Sequence, residues 1–191
     1  MASASFRNWE TRRAAELDAI AAAHGALGGT GRGRRWVARQ IIQSYALLLY
    51  SQYQAFCRDL HSESVDSLVL LVQPAGLRAT LRREFVFSRR LDRGNPTPGN
   101  IGADFMRLGI PFWESVRHDD IRNTTRQSRL EELSAWRNAI AHQDFESGGL
   151  RPSRLTLQTV KRWRGACHGL ARSFDRVMAR YIGSISGASP W

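Results

Sequence analysis

Apolar residues recur at helical spacing along nearly the whole of this 191-residue chain. No segment alternates apolar and polar residues at period two for long enough to make a strand. The pattern implies an all-α fold: a single-domain helical bundle over residues 1–191, about one domain in length. Residues 6–27 place Phe6, Trp9, Arg13, Leu17, Ile20 and Ala21 near one face and stop at Gly28-Gly29. A long helix is expected over 34–61, with Ile41, Tyr45, Leu48, Leu49, Gln52, Phe56 and Leu60 at helical spacing. Ser62 or Ser64 then offers a cap for a further turn through Val65, Leu68 and Leu71. Pro74 opens another helix, with Leu77, Leu81, Phe85 and Leu91 inside. Asn100 caps a short one, and Pro111 suits the first turn of the next. Helix resumes over 125–145, and Thr156 caps a last one through Ile182. Flexible loops are expected near 28–33, 93–99 and 146–155.

Composition narrows the class. With 42% hydrophobic residues, 6 Trp, 8 Phe and 4 Tyr, the chain can fill a core, which excludes wholesale disorder. Six Pro and sixteen Gly exclude a collagen-like chain. The longest apolar run, 46–50, falls far short of the ~20 residues of a membrane span. The first residues hold no apolar signal core, so no membrane association and a cytoplasmic location are expected. Cys57 and Cys167 stand 110 positions apart and fit two buried thiols in a reducing compartment.

Charge is the second constraint. Lys plus Arg is 28 against 17 acidic residues, for a net charge of +11, and Lys161 is the one lysine. Residues 1–45 carry +4, 76–95 carry +4 and 151–191 carry +7, whereas 46–75 and 96–150 carry −2 each. Arginine holds phosphate bidentately and stacks on bases, so a polyanion is one partner this balance suits. A basic soluble surface without a partner is the other reading.

The helix over 125–145 carries the chemistry. On a helical wheel Leu130, Leu133, Trp136 and Ile140 form the core face, and Glu131, Ser134, Asn138 and His142 a polar stripe beside it. Arg137 lies at the edge of the apolar face, where a guanidinium must reach solvent, an anion or an acceptor. Asn138 and His142 are four apart, and Arg137 flanks them from the core side. A permanent cation, an amide and an imidazole on one patch suit phosphodiester cleavage through the ribose 2′-OH. Histidine moves protons near neutral pH, and arginine balances the charge of the phosphorane. One helix supplies one histidine, so a two-fold dimer would supply the second.

Arg137-Asn-Ala-Ile-Ala-His142, with Trp136 before it and Gln-Asp-Phe145 after, resembles the Arg-x(4–6)-His signature of the HEPN superfamily (higher eukaryotes and prokaryotes nucleotide-binding). The resemblance is specific over about ten residues and architectural elsewhere. It implies a small all-α domain, a homodimer with a composite site, and a metal-independent endoribonuclease acting on RNA in toxin–antitoxin or anti-phage defence. An antitoxin protein is then a further partner. By the same resemblance Arg137 and His142 are the catalytic pair and Asn138 supports them, with neither cofactor nor metal. Some members of the family are inactive and serve as RNA-binding or protein-interaction modules, which gives the alternative reading.

The remaining candidates say less. Gln54, Arg58 and His61, with Asp59 and Glu63 nearby, form either a second wall of the site or the solvated face of the long helix. His118-Asp-Asp120 cannot aim three adjacent residues at one ion, and no partner ligands follow at metal spacing. The glycines of 28–33 lack the Lys-Ser/Thr of a phosphate-binding loop. His24 and His168 read as structural or surface residues. The arginine-rich stretches 78–90 and 151–180 are either an RNA-binding rim or ordinary solvent faces. A helical DNA-binding regulator has only the charge in its favour, because no short recognition helix follows a tight turn.

Overall fold

The structure, a computed structural model, describes residues 1–26 and 32–191. Among the described residues every regular element is a helix, as the periodicity requires. Helix α1 (Ala4–Asn8) passes through a π turn (Trp9–Arg13) into α2 (Ala14–Ala26). The hydroxyl of Ser3 caps α1, and the Glu63 carboxylate accepts the N–H groups of Ala4 and Ser5, so the first turn is pinned to the long helix. Phe6, Trp9 and Leu17 are buried on the face expected of them, while Arg13 leaves that face to meet Gln52 and Asp59.

Helix α3 (Arg32–Leu70) is longer than the 34–61 expected. The Ser64 hydroxyl returns to the Leu60 carbonyl within the helix, so it caps nothing and the ladder runs on. Arg32 and Gly33 belong to α3; the rest of the expected 28–33 loop lies outside the described residues. Pro74 opens a 3-10 turn (Ala75–Leu77), followed by α4 (Arg78–Val86). Leu77 is exposed rather than inside, since the turn faces it away from α3; Leu81 and Phe85 pack against the core.

Two short helices, α5 (Arg90–Arg93) and α6 (Pro98–Met106), narrow the expected 93–99 loop to 94–97. Thr97, not Asn100, caps α6, because Pro98 sits well in a first turn and the Thr97 hydroxyl reaches the Asn100 N–H. Pro111 precedes α7 (Phe112–Asp119), and α8 (Asn123–His142) follows. After a 3-10 turn (Pro152–Arg154), Thr156 caps α9 (Leu157–Ser186) as its sequence indicates. Helices α3, α8 and α9 form the bundle, and α1, α2, α6 and α7 close it. One apolar core joins them, centred on Tyr53, Phe56, Phe105, Phe112 and Phe174. Phe105 and Phe112 stack with ring centroids 4.2 Å apart, and Phe174 meets Phe112 edge-on. Cys57 and Cys167 are free and buried, and burial pushes both thiols up out of the reactive range. No helix among the described residues is long and apolar enough to cross a membrane.

Candidate functional site at the end of helix α8

Helix α8 lies between α3 and α9 and buries Leu130, Leu133 and Ile140, with Trp136 half-buried against Trp163. The core face read from the sequence is therefore the one that packs. The helix stops at His142, three residues before the expected end. Gln143 takes a left-handed conformation (φ 53°), and the N–H groups of Gln143 and Asp144 bond the carbonyls of Ile140 and Ala139. Glycine is the usual residue there, and a glutamine gives no stop signal in the sequence. The reversal sends residues 144–150 back along the helix, where Ala135, Asn138, His142, Asp144, Ser147 and Leu150 enclose a pocket of about 330 Å³.

The polar stripe divides by depth. Ser134 is buried and accepts the Tyr50 hydroxyl at 2.7 Å, and burial holds the Tyr50 phenol above its usual range as a neutral donor. Asn138 is half-buried, and Glu131 and His142 are exposed. Arg137 resolves its position at the apolar edge in two ways. Its guanidinium lies 5.9 Å from the centroid of the Tyr50 ring, and its Nη1 donates to Asn138 Oδ1 at 3.1 Å. It makes no ion pair among the described residues, so its positive charge is not cancelled within the fold.

Asn138 Oδ1 accepts a second bond, from Asn95 Nδ2 at 3.0 Å. Both lone pairs of that oxygen are thereby used, which fixes the amide and leaves the two Nδ2 protons without a protein partner. Asn95 belongs to the 94–97 connection, and α3 holds that connection in place. Gln54 Nε2 donates to the carbonyls of Leu91 and Gly94, Arg58 pairs with Asp92 at 2.9 Å, and Asn100 Nδ2 donates to the Asn95 carbonyl. His61 is fully buried, and its Nε2–H donates to the Asp104 carbonyl while the Asp104 carboxylate caps α5 through Arg90 and Leu91 N–H. Arg58 and Asp59 do lie on the exposed face of α3, whereas Gln54 is half-buried and His61 buried, and none of them lines the pocket. Gln54, Arg58 and His61 clamp the segment that presents Asn95 to Asn138.

Asp144 and Asn95 are the residues that the sequence reading missed. The Asp144 carboxylate accepts the Ser147 N–H at 3.1 Å, which with the nearby charge of His142 holds it below the usual carboxylate range. Neither residue has a sequence signal, since each is placed by a turn and a tertiary contact. The other candidates disperse. His118 is exposed near Glu114, Asp119 pairs with Arg176 and Arg180, and Asp120 pairs with Arg122 and Arg126. Among the described residues no three His, Cys, Asp or Glu side chains are grouped to hold a metal. His168 accepts the Trp9 indole N–H at Nδ1, and burial, with Arg172 beside it, lowers its basicity. No protein-family model, curated protein or solved structure matches the chain.

Proposed function

We propose that the protein is a metal-independent endoribonuclease of HEPN type, cleaving RNA at the end of α8 and working as a homodimer in a toxin–antitoxin or anti-phage setting. One observation carries the reading. Asn138 Oδ1 is occupied by Arg137 and Asn95, so two free amide protons share the pocket with the His142 imidazole, and an uncancelled guanidinium is bonded to the oxygen of the same amide. Phosphodiester cleavage needs those groups. His142 takes the proton of the ribose 2′-OH, and O2′ attacks phosphorus. The phosphorane's added negative charge lies against Arg137, and the Asn138 amide protons bond a non-bridging oxygen. The P–O5′ bond then breaks, and the leaving oxygen takes a proton from a second imidazole, supplied by His142 of a second copy. The products are a 2′,3′-cyclic phosphate and a 5′-hydroxyl.

The single imidazole lining the pocket favours the alternative, a module that binds RNA without cutting it. Single-stranded RNA incubated with the protein in EDTA separates the two. Cleavage that falls about 10²–10⁴-fold in His142→Ala, with folding and assembly intact, supports the nuclease. Arg137→Ala costs a similar factor, and Arg137→Lys restores little because the planar fork is lost. Binding without cleavage by the wild type, or full activity in folded His142→Ala, overturns it. A strictly monomeric species by light scattering at tens of micromolar removes the two-histidine mechanism.

A further inference from the structure

Two grooves run along α9, one on each side of Gly165. The first, about 430 Å³, lies between α8 and α9 and is lined by Arg122, Thr125, Arg126, Arg129, Arg162 and Gly165. The second, about 420 Å³, lies between α9 and the N-terminal helices, where Trp9, Glu10, Lys161, Arg164, Gly165 and His168 line it. Gly165 belongs to both. It is exposed, and a Cβ added there would meet nothing within 4 Å, so no side chain stands between the grooves. Four residues on, a Cβ at Gly169 would overlap the Arg126 guanidinium. That glycine is what lets Arg126 lie flat against α9.

Glu10 lines the second groove and meets Arg172 and His168, but over the two grooves the cations outnumber the acids that face them. Asp120 is shared by Arg122 and Arg126, both at 2.8 Å, and no carboxylate lines the first groove. Arg164 is bound to Asp18. Arg129, Arg162 and Lys161 make no hydrogen bond or ion pair among the described residues. Fixed guanidinia with free ones beside them along a continuous track match a chain of phosphates. Trp9 is 3% exposed, so of the rings in the second groove only His168 reaches the surface, and contact is mainly through the backbone.

We propose that this saddle is a docking track for the sugar-phosphate backbone of single-stranded RNA, which crosses α9 at Gly165. The choice of RNA rests on the function proposed above, whereas the anion track rests on charge and shape alone. It is separate from the cleavage pocket, because Arg129 and His142 are thirteen residues apart on α8, about 20 Å of helix rise.

The test is fluorescence anisotropy with a labelled 20-nucleotide oligouridylate and the full-length His142→Ala protein, which keeps the strand intact. Arg129→Ala/Arg162→Ala should weaken binding at least about tenfold and lower the log–log salt slope by roughly 1.4, since each single-strand phosphate contact contributes about 0.7. Gly165→Glu should weaken it as much by blocking the crossing, and Gly165→Ala should not. Arg82→Ala, on α4, is the control for charge alone. Equal affinity across all these variants overturns the track, as does tighter binding of the matching oligodeoxynucleotide, which overturns its assignment to RNA. The same groove substitutions with His142 present leave cleavage of a dinucleotide unchanged. Groove-dependent binding by a wild type that cuts nothing keeps the track and overturns the nuclease. Cutting without groove dependence does the reverse.

Discussion

Residues 78–90 and 151–180 read alike in the sequence: helical, rich in arginine, short of acids. In the fold they behave differently. In the first stretch Arg78 donates to the Val72 carbonyl, Arg82 pairs with Asp66, and Arg89 is buried with bonds to Asp92, the Arg58 carbonyl and Ser62. Arg82 and Arg89 thereby hold α4 and the start of α5 to α3, and Arg78 bonds the chain just after it, while Arg83 and Arg90 have no side-chain partner among the described residues. In the second, Arg164, Arg172, Arg176 and Arg180 face acids, while Arg151, Arg154, Lys161 and Arg162 face none among the described residues, and Arg162 shares a groove with Arg129 of α8. Three of the four arginines lining the groove between α8 and α9 come from 96–150, a block with net charge −2. What decides a surface's field is which charges the fold has already matched, not how many the sequence holds.

Four measurements would break or sharpen this contrast. Arg89→Ala removes a buried guanidinium and its bonds to the Arg58 carbonyl and Ser62, while Arg58 keeps Asp92 paired, so urea unfolding should show a loss of about 1–3 kcal/mol, the range for buried polar groups left unsatisfied. Arg162→Ala should stay within about 0.5 kcal/mol of wild type, as exposed substitutions do. Equal stabilities would erase the distinction between the two stretches.

The second concerns His61, which lies beside Arg89 in the same clamp. Burial, and after it the charge of Arg89, pushes its basicity down to about 4, and its Nδ1 has no hydrogen-bond partner. The unfolded chain keeps the ordinary value near 6.5, so it binds more protons than the native state between pH 4 and 6.5. Stability is therefore complete above about pH 6.5 and falls as pH drops through that window, by about 3 kcal/mol from this residue. In His61→Gln, which cannot titrate, the difference in slope should vanish; an unchanged slope would show that His61 does not stay neutral.

Asn95→Ala frees one lone pair of Asn138 without touching Arg137 or His142. Cleavage should fall about tenfold, the order of one lost positioning hydrogen bond, with the stability of α8 unchanged. A fall as large as that of His142→Ala would mean that Asn95 itself meets the substrate. A small effect is also expected at Arg82, whose exposed pair with Asp66 should contribute under about 1 kcal/mol in a double-mutant cycle.

Periodicity made the architecture and the face of α8 legible, because burial and helical spacing are the same fact seen twice. Boundaries were less so. Ser64 resembles a cap yet bonds inside α3, and Gln143 ends α8 where a glycine would have announced the stop. That Asn138 and His142 share one face was readable from their i, i+4 spacing, and Arg137 reaches that face through its bond to Asn138 rather than by lining the pocket. Asn95, Asp144 and the structural work of Gln54, Arg58 and His61 were not readable. Each depends on contacts across a turn or between segments 30 or more residues apart, and no local pattern encodes them.

The most direct measurement is the chemistry of the ends left when the wild-type protein cuts a defined single-stranded RNA in EDTA. Attack by the internal 2′-oxygen leaves a 2′,3′-cyclic phosphate and a 5′-hydroxyl, and a single 2′-deoxyribose at the scissile position abolishes the cut. Fragments with a 3′-hydroxyl and a 5′-phosphate, or undiminished cutting at the deoxy position, would require an activated water and contradict the account of Arg137, Asn138 and His142.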